Sequence, residues 1–314
     1  MLSSGINFIK FKTKTKNLLV KKNLQSILKE KNQIIESLSR NYKNNFSTRQ
    51  LKKYQKYLNL RVIGMGGSIL GTHAIYDFLK DKIKKNFLFI DNLQPNSRKN
   101  LKKNFTNIIV SKSGNTIETI VNFNFSIKNK NKNIFITEDK KNYLHLLAKK
   151  LKAEIIHHNN YIGGRYSVLS EVGMLPAELM GLNVSKFRQL NSLIKNKDFI
   201  DALISNVSST LYFIKKKKFN SIIINYDEKS ENLFKWYQQL VAESLGKKNN
   251  GLLPIVSNMP KDNHSVMQLY LDGFKNNFFT FFYTQENKSE KIDNNQILSS
   301  QSYLKNKNIS NIIF

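Results

Sequence analysis

The chain contains no cysteine, which removes disulfides, zinc–thiolate centres and cysteine nucleophiles from its chemistry. It also has no run of about 18 uncharged apolar residues, the length a membrane-spanning helix needs, so no membrane partner is expected. Residues 1–22 mix lysines with isolated apolar residues and lack the continuous apolar stretch and small-residue cleavage site of a secretory signal. A cytoplasmic location is the expectation. Acidic residues are scarce: 22 Asp and Glu face 51 Lys and Arg, a formal charge of +29. A nucleic-acid binder tends to gather such charge on one element and to interleave stacking aromatics. Here Lys far outnumbers Arg, Asn is abundant, and both are dispersed, the pattern of an A/T-rich coding sequence. No nucleic-acid partner is expected, although the charge would weakly steer small anionic ligands.

What is present indicates an α/β protein. With 314 residues, 40% of them apolar, the chain can bury a substantial core and has room for roughly two domains. Residues 1–47 are polar and helix-prone, with Leu24, Ile27, Leu28, Ile34, Ile35 and Leu38 at helical spacing over 23–39, and read as a peripheral helical layer. A helix to residue 58 is followed by a strand over 60–63, the glycine loop Gly64-Met65-Gly66-Gly67-Ser68, and a helical pattern over 70–79. Further strands are expected at 87–90, 108–110, 133–136 and 153–157. Short, continuously apolar strands alternating with helices indicate a parallel sheet covered on both faces. Helices restart from residue 187 to about 215, then come a basic run at 215–218, a strand at 221–226 and a helix at 233–245. A glycine- and proline-marked segment runs to residue 260, and a last strand is expected at 278–283. The expected division is a helical layer at 1–47, one α/β unit at 48–185 and a second at 186–314.

Five segments carry candidate chemistry. In Asn107-Ile-Ile-Val-Ser-Lys-Ser-Gly-Asn-Thr-Ile-Glu-Thr119 a buried strand runs into a hydroxyl-rich loop and then a helix. Such a loop offers backbone N–H groups and the positive end of a helix dipole, with Ser111, Ser113, Asn115 and Thr116 as further donors around Lys112. It is a site for a phosphate, or an ordinary connection with a Ser/Thr cap. The glycine loop at 64–68 fits neither the dinucleotide fingerprint nor a Walker A loop, which favours one sugar-phosphate-sized ligand over a nucleotide. In Gly163-Gly-Arg-Tyr-Ser-Val-Leu-Ser170, Arg165 follows two glycines and is either a surface charge or a stabiliser of developing negative charge on oxygen. In Trp236-Tyr-Gln-Gln-Leu-Val-Ala-Glu-Ser-Leu-Gly-Lys247, Glu243 lies among apolar residues. A partly desolvated carboxylate there would have a raised pKa suited to proton abstraction; the alternative is a solvated helical Glu. His264 stands beside Asp262 at an expected helix start, while His157 and His158 read as strand-end bystanders.

Taken in order, these motifs resemble the glucose-6-phosphate isomerase family over roughly residues 50–285. The resemblance implies two SIS-type (flavodoxin-like) αβα sandwich domains with mainly parallel sheets. It implies a metal-free and cofactor-free aldose–ketose isomerisation of glucose 6-phosphate and fructose 6-phosphate through a cis-enediolate, a step of glycolysis and gluconeogenesis. Carried over, Ser111, Lys112, Ser113 and Thr116 form the phosphate loop with Ser68 beside them, and Gly66 and Gly67 form a further substrate loop. Glu243 becomes the base, Arg165 the stabiliser of the enediolate, and His264 the histidine that assists ring opening from the partner subunit of a homodimer. Ser113-Gly114 replaces a Thr-Phe of some members, as in the bacterial branch. Members also carry a C-terminal helix with a catalytic lysine; Lys305 and Lys307 lie in a polar stretch without that motif, so the second domain is expected to be incomplete. The alternative is a SIS-type sugar-phosphate-binding or regulatory protein without turnover, although residues 1–47 show no clear helix-turn-helix.

Overall fold

The computed structural model describes residues 17–93, 105–127 and 132–284; Lys305, Lys307 and the expected incomplete end lie outside them. Five strands form the first sheet: β1 (Asn59–Ile63), β2 (Asn86–Ile90), β3 (Thr106–Val110), β4 (Asn133–Thr137) and β5 (Glu154–His157). They are all parallel, in the order β2-β1-β3-β4-β5. Every residue of β3 and β4 is buried, as continuous apolar runs require of strands covered on both faces. Leu60, Val62, Ile108, Val110, Ile134 and Ile136 turn to one layer, where they meet Leu51 and Tyr54 of α3 (Thr48–Gln55) and Val172 and Leu175 of α7 (Glu171–Leu179). Ile63, Ile109 and Phe135 turn to the other, against Phe123 of α5 (Ile117–Ser126) and Leu144 and Ala148 of α6 (Tyr143–Lys150).

The abundant asparagine has a structural use. Asn59 pairs with Asn86 across β1 and β2, Asn107 with Asn133 across β3 and β4, and their amides bond at 3.3 and 2.8 Å. Because a one-residue slip would break these pairs and reverse every side chain, they help fix register.

The helical pattern over 23–39 is not one helix. It divides into α1 (Leu18–Lys29) and α2 (Gln33–Ser37), because Glu30 is extended and the Asn32 side chain caps the second helix by accepting from Ile35 N–H. Nor is the layer wholly peripheral: Ser37, Tyr42 and Phe46 are buried. The Tyr42 hydroxyl and the Asn45 N–H both donate to the buried Glu171 carboxylate at 3.0 Å, and Arg188 donates to the Tyr42 carbonyl at 3.1 Å. In α7, Pro176 cannot donate to the carbonyl of Val172, and the buried Thr72 hydroxyl of α4 (Leu70–Phe78) takes that acceptor at 3.2 Å.

The second sheet holds β6 (Asn220–Asn225), β7 (Leu253–Asn258) and β8 (Asn277–Phe282), parallel in the order β7-β6-β8. The order repeats the first three strands of the first sheet, and Asn220 pairs with Asn277 at 2.8 Å in the same manner. β7 occupies the segment read as a glycine- and proline-marked connection; it is an edge strand, where Pro254 is tolerated. α8 (Leu190–Leu193) and α9 (Lys197–Lys215) lead into this sheet, α10 (Glu231–Leu245) links β6 to β7, and α11 (Met267–Asp272) precedes β8. The fully buried apolar cluster here is small, Ile222, Ile224 and Met259 among the described residues. α10 packs on α4 of the first unit, with the Asn232 amide donating to Asp77 at 2.6 Å and Lys229 paired with Asp81 at 2.7 Å. No described helix is long and apolar enough to cross a membrane.

His158, at the end of β5, is fully buried, and burial lowers its imidazole below the ordinary 6.5. The folded chain thus favours neutral imidazole, and this stabilisation is complete above pH 6.5 and lost as the pH falls below it. His73 is shifted in the same direction, again by desolvation. The melting temperature should drop between about pH 7.5 and about pH 5.5, and His158→Gln should flatten that dependence without abolishing it.

Candidate active site

The strand order reverses between β1 and β3, so the loops after these neighbouring strands border a crevice outside their carboxyl ends, where open parallel sheets bind ligands. The first loop is 64–68. Gly66 adopts a φ of 50°, and a Cβ there would stand 2.8 Å from the Gln239 amide nitrogen. Gly67 lies directly on the backbone of Gly164 and Arg165. The half-buried Ser68 hydroxyl makes no hydrogen bond to another described residue.

In the second loop the Ser111 and Thr116 hydroxyls bond each other at 2.9 Å. Two backbone groups expected to be open are spent, since Gly114 N–H donates to Ser111 and Asn115 N–H donates to the Ser113 hydroxyl. Among the donors that remain are those of α5, whose N-terminus has no side-chain cap. Lys112 differs from expectation: its ammonium donates to the Asn160 carbonyl at 2.7 Å and lies 3.4 Å from Glu138, so it is committed to the neighbouring loop rather than free beside the hydroxyls.

Arg165 sits on a 3-10 turn, Gly164–Leu169. Its Nε–H donates to the Ser244 hydroxyl at 2.9 Å and its Nη1 to Glu243 Oε1 at 2.8 Å, while its guanidinium lies 4.6 Å from the Tyr166 ring centroid. The Arg165 carbonyl accepts from the indole N–H of Trp236 at 3.3 Å, and the Gln239 amide donates to Glu243 Oε2 at 3.2 Å. Residues 236, 239, 243 and 244 fall on one face of α10, so a single helix of the second unit completes a site begun by two loops of the first. Burial acts to raise the Tyr166 phenol, but the Ser244 hydroxyl and the Arg165 guanidinium outweigh it and lower it from its ordinary value.

Two expectations are corrected. Glu243 is not desolvated: its side chain is 52% exposed, against 19% for Arg165. The last turn of α10 projects past the first unit's loops, and Ala242 and Leu245 are exposed with it. His264 is not paired with Asp262 and does not open a helix. It follows the 3-10 turn Lys261–Asn263 and is exposed, while the Asp262 carboxylate is occupied by Asn258 N–H at 2.8 Å and the Ser265 hydroxyl at 3.1 Å. The chain thus brings Gly66, Gly67, Arg165 and Glu243 together, sets the 111–116 loop on the adjoining strand, and leaves His264 apart from them. Trp236, Ser244 and Tyr166 lie within the quoted motifs but have no role assigned from the sequence, whereas Gln239 is placed there only as a neighbour of Glu243 on the adjoining turn. Among the described residues no three His, Asp or Glu side chains converge as a metal site would require.

Two parallel αβα layers with loops meeting at the first switch point define a SIS-type fold. A hypothetical protein of Thermus thermophilus has this fold, with a TM-score of 0.73 at 22% identity, over 91% of this chain and 75% of that one. A glucose-6-phosphate isomerase of Chlamydia trachomatis shares it at a TM-score of 0.60 and 19% identity, over 74% of this chain and 52% of that one. The chain belongs to the phosphoglucose isomerase family, whose model matches residues 15–259. The glucose-6-phosphate isomerase of Methanocaldococcus jannaschii is 39% identical over 252 residues, covering 74% of this chain and 62% of that protein, so the chain spans less than two thirds of this relative's length. The family match ends before His264.

Proposed function

We propose that this site interconverts glucose 6-phosphate and fructose 6-phosphate. The phosphate is held by the hydroxyls of Ser68, Ser111, Ser113 and Thr116 and the open N–H groups of α5, with Lys112 adding positive potential from the side. Gly66 and Gly67 let the backbone approach the sugar. Glu243 takes the proton from C2 of the open aldose, charge develops on the C1 oxygen, and Arg165 donates to it in the cis-enediolate. The C2 hydroxyl proton passes to the C1 oxygen and Glu243 returns its proton to C1, which leaves the carbonyl at C2 and a hydroxyl at C1, so the step needs no external redox partner and no cofactor. His264, exposed and without a hydrogen bond to Asp262, is assigned to ring opening in a second copy of the chain within a homodimer.

The observation that carries this reading is the 2.8 Å pairing of Arg165 and Glu243, a donor for an oxyanion and an acceptor for a proton delivered side by side from two different units. The test is a coupled assay in which fructose 6-phosphate is added and glucose 6-phosphate is followed by NADP reduction; turnover is the expected result. Saturable quenching of Trp236 fluorescence by fructose 6-phosphate without turnover would favour a binding or regulatory protein, and neither signal would overturn both readings.

A further inference from the structure

Ser244 follows the proposed base directly, and its hydroxyl does not take the acceptor on its own helix that several helical hydroxyls of this protein use. Ser126, Ser208, Ser209 and Thr210 each turn back and donate to the carbonyl four residues earlier, the usual resting place of a helical hydroxyl. Ser244 makes no such bond. It is turned away from α10 toward the first unit, where it accepts from Arg165 Nε–H at 2.9 Å and bonds the Tyr166 hydroxyl at 2.8 Å.

A guanidinium rotates about its last side-chain bonds unless its forks are fixed. Arg165 is held on three sides: Nε–H by Ser244, Nη1 by Glu243, and one flat face by the Tyr166 ring, whose hydroxyl reaches round to the same serine. Nη2 makes no hydrogen bond to a described residue, so the clasp leaves that group for a ligand. When substrate draws Glu243 away, the Ser244 bond is the restraint that stays. We infer that Ser244, braced by the Tyr166 hydroxyl, is a positioning residue that fixes the guanidinium plane of Arg165 with Nη2 presented to the reacting oxygens. The inference rests on the isomerase reading for its catalytic consequence, but the clasp can be measured without turnover.

Two readouts test it in the full chain. In 15N-labelled protein the Arg165 Nε–H signal is assigned by its loss in Arg165→Lys. Ser244→Ala should speed its exchange with water by roughly tenfold or more, as loss of a hydrogen bond to a charged group implies, and Ser244→Thr should restore it. In the coupled assay Ser244→Ala should lower kcat by about tenfold to hundredfold, the scale of a misplaced catalytic group. KM for fructose 6-phosphate should stay within about threefold, since other loops hold the phosphate. Tyr166→Phe, which keeps the ring and removes the hydroxyl, should move both readouts the same way but less. Melting followed through Trp236, the chain's single tryptophan, identifies any variant that fails to fold. Unchanged Nε–H exchange in Ser244→Ala would overturn the clasp, and accelerated exchange with unchanged kcat would overturn its positioning role. Absence of turnover in the unmutated chain would instead refute the isomerase reading while leaving the exchange result to judge the clasp.

Discussion

Glu243→Gln is expected to reduce turnover of fructose 6-phosphate by about 10²–10⁴-fold, the range a general base contributes. The substitution is chosen because an amide oxygen can still accept from Arg165 Nη1, so the pair at 2.8 Å and the docking of α10 are kept while the proton acceptor is lost. KM should move little, because the loops proposed to hold the phosphate belong to the other unit. A second signature accompanies it: in heavy water, uptake of solvent deuterium at C2 of glucose 6-phosphate should slow in step with kcat. If kcat and deuterium uptake both stay at the wild-type level, the proton transfer belongs to another group. Glu243→Ala is less informative, since it also frees the guanidinium.

The second large effect is expected from one methyl group. A Cβ on Gly67 would stand 2.3 Å from the carbonyl carbon of Gly164 and 2.4 Å from the nitrogen of Arg165. Both contacts are backbone, so no side chain can swing aside, and the two loops must separate. Gly67→Ala should cost about 1–3 kcal/mol of stability, as overpacking does elsewhere, and should reduce turnover in addition by displacing Arg165 from Glu243. Gly164→Ala is the internal control: a Cβ there meets nothing within 4 Å, and a change within about 0.5 kcal/mol is expected. Denaturant unfolding of the two variants side by side measures the difference. Equal stabilities would mean that the loops are not packed as described.

Much of the first unit could be read in advance, and the reason is physical. Its central strands are buried on both faces, so runs such as Ile108 to Val110 and Ile134 to Ile136 are apolar at successive positions and stand out from polar surroundings. The glycine loop was legible because the close approach of Gly67 to the backbone of Gly164 and Arg165 demands glycine. β7 was not, since an edge strand can carry Pro254 and its Gly251-marked approach resembles a turn. Side-chain commitments were not legible either. Nothing near Lys112 in the chain announces that Asn160 and Glu138 will hold its ammonium, and the apolar neighbours of Glu243 do not reveal that its helical turn projects into solvent. The sequence separation of 78 between Arg165 and Glu243 puts their pairing beyond any local pattern.

The helix that carries Glu243, Ser244 and Trp236 hangs from the second sheet, whose buried apolar cluster is much the smaller among the described residues, while the 64–68 and 111–116 loops hang from the first. Opening of a protein proceeds through its least stable cooperative part. The proposed activity is then governed by the weaker half: as denaturant or heat is raised, it should be lost while the first sheet, with its 111–116 loop, is still intact. A sugar phosphate that bridges both halves would act as a fastener, and its protection should register first in the fluorescence of Trp236, which sits on the seam.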